Sequence, residues 1–302
     1  MAGRSRERQF EMDYLLHILV LFSIYSVLAI SLDLVAGHAR LLSLSHAAFY
    51  GLGAYSSAML VTYSGSSFLL GLLAGMVVAG AVSFLVSLPS LRMHDDYFVI
   101  ATFAFQMIVF SIFNNWTSVT HGPMGIPGIP RPLILGWRVD STFEFVVLGA
   151  LLAALAWFVV RQITTSPMGR VLHAIREDEV LTASLGKPTL RFKLTTFGFS
   201  AAIAALAGSF FAHYITYVDP TSFTIIESIL VLSMVIIGGA GSLYGPLIGA
   251  AVLVALPEGL RFAGLPSATA ANLRQIFYGL LLILFMVFRP QGLIGEFGFR
   301  RR

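Results

Sequence analysis

The sequence SPMGRVLHAIREDEVLTASLGKPTLRFK, residues 166–193, is a charged interval in a chain that is otherwise mostly apolar. Apolar stretches long enough to cross a bilayer flank it on both sides, so the interval has to lie in water. Ser166 is a good N-cap with Pro167 at the first helical position, and Gly186 followed by Pro188 is a stop signal. Its charged side chains are Arg170, Arg176, Lys187, Arg191, Lys193, Glu177, Asp178 and Glu179.

Apolar side chains interleave with these charges, among them Leu172, Ile175 and Leu181. This pattern predicts one or two short amphipathic helices. A loop that only reverses the chain needs just a few polar residues. We therefore interpret residues 162–193 as a docking surface for a soluble partner, with a solvated connecting loop as the alternative.

The composition predicts an integral membrane protein. Charged residues are 11% of the 302, hydrophobic residues are 57% and the mean hydropathy is +0.84, whereas a soluble domain carries about 25% charged residues. We expect an all-α transmembrane bundle of about eight to ten helices, some of them broken or re-entrant. Residues 1–302 then form a single transmembrane domain with no separate soluble domain. The lipid bilayer is therefore an expected partner.

Residues 41–63, LLSLSHAAFYGLGAYSSAMLVTY, are long enough to span but unusually polar. Gly51 and Gly53 permit an interruption of the helix, and the polar side chains are costly in contact with lipid. We expect them to line a translocation path, although a lone intramembrane histidine is often only a packing residue. On the fourth span, two further polar residues lie one helical turn apart. The predicted path residues are Ser43, Ser45, His46, Tyr55, Thr102 and Gln106.

Residues 238–246, GGAGSLYGP, separate two short apolar pieces, residues 224–237 and 247–256. Short pieces around a glycine-rich break predict broken or tilted helices, with a plain tight turn between tilted helices as the alternative. GxxxG spacings also allow close helix packing. The glycines expected to break or pack these helices are Gly238, Gly239, Gly241, Gly245 and Gly249.

Several chemistries lack their motifs. There is no GxxxxGK[ST], HExxH or GxSxG sequence and no cysteine, so we expect no catalytic residue, no metal and no cofactor. The net charge of +4 is scattered between apolar spans, so nucleic acid is not an expected partner. The acidic residues of the apolar regions, Asp33, Glu144, Glu227 and Glu258, fall near segment ends and predict no ion-coupling site. Energy for uphill transport would come from a partner.

Basic residues concentrate at Arg161, in residues 166–193 and at residues 300–302, which places these parts in the cytoplasm. Counting nine segments back from a cytoplasmic C-terminus puts the N-terminus outside. Arg4, Arg6 and Arg8 argue against that position. The sequence leaves the choice open.

These pieces together resemble one family, the permease subunits of branched-chain amino-acid ABC importers, in their second permease type. The resemblance covers residues 33–295. It rests on pieces in this order: LLSLSHAAFYGLGAY (41–55), DYFVIATFAF (96–105), THGPMGIPGIP (120–130), SPMGRVLHAIREDE (166–179), ASLG (183–186), DPTSF (219–223), GGAGSLYGPLIGA (238–250) and FRPQGLIG (288–295).

The resemblance implies a subunit of the bacterial inner membrane that translocates branched-chain amino acids or related small polar solutes. ATP is hydrolysed by partner ATP-binding cassette subunits and not by this chain. The other implied partners are a second homologous permease and a periplasmic substrate-binding protein. The binding protein would contact residues 120–130. In the family, a coupling helix docks on the ATPase. This assigns coupling to Arg170, Ile175, Arg176, Glu177, Asp178, Ala183 and Gly186.

Arg40 and Ser45 stand where relatives usually have glycine, and both border the predicted path. The substrate could therefore differ from leucine, isoleucine or valine, and relatives of similar sequence carry urea or short amides. A self-sufficient channel or secondary transporter is the alternative from a different class.

Overall fold

The computed structural model describes residues 2–91, 95–134, 136–262, 267–289 and 291–294. Within these ranges the α-helices are, in chain order, α1 (Ala2–Ala36), α2 (His46–Ser64), α3 (Phe68–Ser90), α4 (Asp95–Asn115), α5 (Thr117–Thr120), α6 (Thr142–Thr165), α7 (Pro167–Glu177), α8 (Glu179–Ser184), α9 (Thr189–Ile215), α10 (Ile225–Gly238), α11 (Gly245–Phe262) and α12 (Ser267–Phe288).

The chain is a multi-pass membrane protein. Among the residues described, five helices are long and apolar enough to cross a membrane, namely Met12–Ala36, Phe68–Ser90, Tyr97–Asn115, Thr142–Thr165 and Thr189–Ile215. Ile225–Gly238, Gly245–Leu256 and Ile276–Phe285 are shorter apolar helices, and α2 is long but more polar. This confirms the predicted helical membrane bundle.

Helices α1 and α9 form the centre of the bundle. In α1 and α9, 72% and 78% of the residues in the most apolar part of the helix are buried, whereas in α3, α4 and α6 the buried share is only 22–28%. Helices α2 and α3 pack on α9, while α6, α10 and α11 pack on α1. The outer helices therefore present mostly apolar faces that suit lipid.

The interruption that Gly51 and Gly53 would permit does not occur. Helix α2 is continuous from His46 to Ser64, and the irregular backbone lies before it, at residues 37–45. A Cβ on Gly53 would overlap the backbone of Ala205 on α9. This glycine is needed for close approach of two helices and not for a break.

The two ends of α1 lie on opposite faces of the bundle. Near the start of its apolar span, Met12–Ala36, a hydrogen bond of 2.6 Å joins His17 Nδ1 to the Tyr214 hydroxyl at the end of α9. Beyond its end, the Gly37 carbonyl accepts a hydrogen bond from Arg176 of α7. The N-terminus of α1 thus faces away from α7, as the nine-segment count required. Residues 300–302 and the Glu258 side chain lie outside what the structure describes.

The face opposite α7 carries the long connection between α4 and α6. Strand β1 (Ile126–Pro127) pairs with β4 (Tyr217–Val218), and β2 (Leu133–Ile134) pairs with β3 (Trp137–Arg138). His213 Nδ1 donates to the Pro130 carbonyl at 2.7 Å. Because His213 lies on α9 and β4 follows it directly, the loop is fixed to the central helix.

Candidate docking surface and translocation path

Local sequence sets the bounds of α7 and α8. The Ser166 hydroxyl accepts from the backbone N–H groups of Met168 and Gly169 at 3.1 and 3.4 Å, and Pro167 begins the helix. Asp178 ends α7 and caps α8, accepting from the Leu181 N–H at 2.9 Å. The interval forms two short helices, where one or two were predicted, and the predicted N-cap at Ser166 is present because capping is a local property.

One side of α7 packs on the bundle. Gly169, Leu172 and Ile175 are buried, whereas Arg170 is exposed. A Cβ on Gly169 would overlap the Thr164 backbone at the end of α6. Of the predicted coupling residues, Ile175 therefore packs α7 against the bundle, while Arg170 is exposed and accessible to a partner.

Helix α8 and the turn after it expose large apolar side chains. Val180 is 80% exposed, Leu181 57% and Leu185 73%. Ala183 and Gly186 are exposed beside them, and the exposed charges of Glu177, Asp178 and Lys187 surround the group. Contiguous exposed apolar residues with a polar rim are typical of protein interaction sites. We call Val180, Leu181, Ala183, Leu185 and Gly186 the docking surface.

Arg176 points inward from α7. Its guanidinium is half-buried and donates to the Gly37 carbonyl just past α1. Burial lowers the pKa of Arg176 from its ordinary value, an effect that the nearby carboxyl of Asp33 opposes. Asp33 Oδ1 in turn accepts from the Gly241 N–H at 2.7 Å. We call Asp33, Gly37, His38, Arg176 and Gly241 the junction.

His38 completes the junction as a neutral group. Its Nδ1 donates to the Asp33 carbonyl at 3.3 Å and lies 3.5 Å from Asp33 Oδ2. Burial lowers the pKa of His38 to about 4, so the ring carries no charge at neutral pH. Its ring also meets His173 of α7 edge-on, with centroids 5.7 Å apart. The junction thus joins α7, the end of α1 and the turn after α10.

Helix α8 is tied separately to α9 by an ion pair between Glu179 and Lys193. A cavity of about 100 Å³ lies beside this pair, lined in part by Arg40 and Glu177. Arg40 has a φ of 55°, which side chains with a Cβ adopt at a cost. Glycine adopts this conformation freely, which fits the glycine that the resemblance leads us to expect there.

The predicted path residues meet at the start of α2. Thr102 Oγ1 accepts from the Leu44 N–H at 3.2 Å, and Gln106 Oε1 accepts from the Ala48 N–H at 2.6 Å. Gln106 also donates to the Phe223 carbonyl at 2.8 Å. We call Ser43, Ser45, His46, Thr102, Gln106 and Ser228 the inner polar cluster, and every member is 0% exposed.

Ser228 is the member that the sequence did not reveal. Its hydroxyl accepts from the Ala47 N–H at 2.9 Å, so α4 and α10 together cap a helix that begins inside the bundle. A serine on an apolar helix is a weak signal, because most such hydroxyls bond only to their own helix. His46, at the first position of α2, instead contacts α9, with its Nε2 3.1 Å from the Ser200 hydroxyl.

Tyr55 is not part of the inner polar cluster. Its ring stacks on Phe113 with centroids 4.3 Å apart. The Tyr55 hydroxyl and His46 Nδ1 are both buried without a hydrogen-bond partner. Among the residues described, no three side chains suited to holding a metal ion come together.

The predicted glycines lie where α10 and α11 approach. A Cβ on Gly249 would overlap the Met234 carbonyl oxygen, and one on Gly238 would overlap that of Gly245. Gly239 and Gly241 lie in the turn with φ values of 114° and 85°. The structure therefore has a tight turn between two closely packed short helices.

Comparison with known proteins gives a consistent set of relatives. Residues 14–286 match the family of the branched-chain amino acid transport system permease component. The chain is 37% identical over 300 residues to the high-affinity branched-chain amino acid transport system permease protein LivM of Escherichia coli K12, covering 92% of this chain and 69% of that protein. The Salmonella typhimurium protein of the same name is 36% identical over 294 residues, 90% of this chain and 68% of that protein.

A more distant relative aligns with this chain over almost the full length of both proteins. It is the probable branched-chain amino acid transport permease protein LivM of Methanocaldococcus jannaschii, 24% identical over 328 residues and 94% of each chain.

Proposed function

The chain belongs to the family of branched-chain amino acid transport system permease components, and we propose that it is the membrane-spanning permease of an ABC importer in the bacterial inner membrane. Branched-chain amino acids are the proposed substrates, because the relatives of highest identity above carry that name. The proposed energy source is ATP hydrolysed by partner ATPase subunits. The proposed assembly also contains a second homologous permease and a periplasmic substrate-binding protein.

The docking surface is the observation that carries this proposal. It lies on the same face as the junction, outside the apolar spans, yet it exposes Val180, Leu181 and Leu185 to water. Leaving such side chains in water costs free energy that a partner's apolar cleft would recover. The docking surface also belongs to a fixed helix pair, which transmits a rigid-body displacement where a mobile loop would absorb it.

The opposite face suits the substrate-binding protein. Its long loop is held to α9 by β4 and by His213, and it exposes Met124 and Trp137, which are 79% and 67% accessible. Exposed aromatic and methionine side chains are enriched in protein interfaces. We place the binding protein on this loop.

The test is co-purification with the candidate ATPase. Val180→Asp with Leu185→Asp puts charge into the docking surface without touching buried groups, and we expect at least a tenfold loss of retained ATPase. Leu133→Asp is the matched control, because Leu133 is a 52% exposed apolar residue of the opposite face. Reversing Arg176 is a poorer test, since that side chain binds Gly37.

Reconstitution in liposomes separates the two classes of transporter. If the chain is an ABC importer permease, leucine uptake should require the ATPase, the second permease, the binding protein and ATP. Uptake by the purified chain alone would instead establish a self-sufficient channel or carrier. Equal retention of the ATPase by the docking-surface variant and by Leu133→Asp would contradict the assignment of the docking surface.

A further inference from the structure

We infer that Asp33 is the positioning residue through which α7 drives α10, and through α10 the inner polar cluster. This inference rests on the proposed function. It concerns how a movement of the docking surface reaches the interior, a step for which the structure shows a continuous set of contacts.

The first step is the joining of α7 to α1. Arg176 is the side chain of α7 that reaches past α1 to the Gly37 carbonyl. His173, one turn earlier, packs edge-on against His38. Both contacts are made with residues directly after α1, so a displacement of α7 moves the end of α1 with it.

The second step is the joining of α1 to α10. Asp33 is 2% exposed, and its Oδ1 accepts from the N–H of Gly241 in the turn after α10. A Cβ on Gly37 would overlap both Asp33 Oδ1 and the Gly241 nitrogen. The three groups are therefore in direct contact. A buried carboxylate with a backbone N–H partner is costly to separate from it.

The third step runs along α10. It ends at Gly238, just before Gly241 of the junction, and Ser228 near its start caps α2 through the Ala47 N–H. Phe223, just before the helix, accepts from Gln106. A 14-residue helix is about 21 Å long. Because α10 is a regular helix, a shift at Gly241 displaces Ser228 and Phe223 relative to α2 and α4.

Asp33→Ala removes the acceptor for the Gly241 N–H, whereas Asp33→Asn keeps an oxygen in its place. For Asp33→Ala in the reconstituted importer, we expect wild-type retention of the ATPase, at least a tenfold loss of leucine uptake, and ATP hydrolysis no longer stimulated by leucine-loaded binding protein. Asp33→Asn should keep more than half of the uptake. A merely structural role would lower assembly and hydrolysis together.

Ser31→Ala is the matched control. Ser31 lies on the same helix, is 0% exposed, and its hydroxyl donates only within its own helix, to Leu28. Uptake by Asp33→Ala within twofold of Ser31→Ala would overturn the inference while leaving the proposed function intact. Failure of the wild-type chain to retain any ATPase would instead overturn the proposed function itself.

A second measurement leaves the junction unaltered, in case Asp33→Ala does not insert. The chain has no cysteine, so spin labels can be placed by Ala174→Cys on α7, Tyr244→Cys after α10 and Val77→Cys on α3 as the reference. Across nucleotide states, we expect the 174–244 distance to stay within about 2 Å while both labels shift relative to residue 77. A change between 174 and 244 as large as those shifts, or no shift at all, would overturn the inference.

Discussion

Gln106→Leu tests whether the start of α2 is held by side chains of other helices. The leucine is similar in size but removes three buried hydrogen bonds. Gln106 accepts from the Ala48 N–H at 2.6 Å and from the Ser228 hydroxyl at 3.4 Å, and it donates to the Phe223 carbonyl at 2.8 Å. A buried polar group left without a partner costs about 1–3 kcal/mol. The Ala48 N–H retains a weaker bond of 3.1 Å to the Ser45 carbonyl. The expected net loss of stability is therefore about 2–4 kcal/mol.

Thr102→Val is the matched comparison, one turn earlier on α4. Thr102 makes a single hydrogen bond to another element, from the Leu44 N–H at 3.2 Å, and its donation to Val99 stays within its own helix. We expect a loss of about 1–2 kcal/mol. Thermal unfolding of the purified protein, followed by intrinsic fluorescence, ranks the two variants. An unchanged Tm for Gln106→Leu, or an equal fall for Thr102→Val, would refute the capping of α2 by α4.

Three further changes test other parts of the structure. Arg40→Gly should raise stability by about 0.5–1 kcal/mol, because φ of 55° strains a residue with a Cβ. The change removes no hydrogen bond or ion pair seen among the described residues. A lowered Tm would contradict this expectation. Gly249→Ala should cost more than about 2 kcal/mol through overlap with the Met234 carbonyl, whereas Gly279→Ala, with no atom near its Cβ, should be neutral or slightly stabilising. His38 has a pKa of about 4 when folded against 6.5 unfolded, so the unfolded chain takes up a proton at this residue first as the pH falls, and His38 by itself contributes a loss of about 2 kcal/mol between pH 7.5 and 5. His38→Asn should remove this contribution, so the Tm of the variant should fall less, or rise more, than that of the wild type over this range; the same pH dependence in both proteins would contradict it.

Those features that depend on neighbours in the chain were predictable. The membrane helices follow from runs of apolar residues, because a span must satisfy its own backbone and shield it with apolar side chains. The bounds of α7 follow from Ser166 and Pro167, since a cap acts within one turn. The lack of a regular span in residues 120–132 follows from its glycines and prolines.

Prediction failed where a residue's role depends on a distant partner. Gly51 and Gly53 would permit a break, yet α2 is regular there and Gly53 instead allows the backbone of Ala205 to come close. Ser228 gave no signal, because its partner at Ala47 is 181 residues away in the sequence. The charge pattern around Arg176 did not reveal its distant contact with the Gly37 carbonyl, and the coupling role of Arg176 stays a prediction.

The sequence by itself determined that this is a membrane protein, where its helices lie and which interval stands in water, because hydropathy and capping act over one or two turns. Only the tertiary structure decided that Asp33 binds Gly241 and that Gln106 and Ser228 cap α2. In an apolar bundle any face of a helix can be buried. The choice of face is made by the few polar groups that find one another across the bundle.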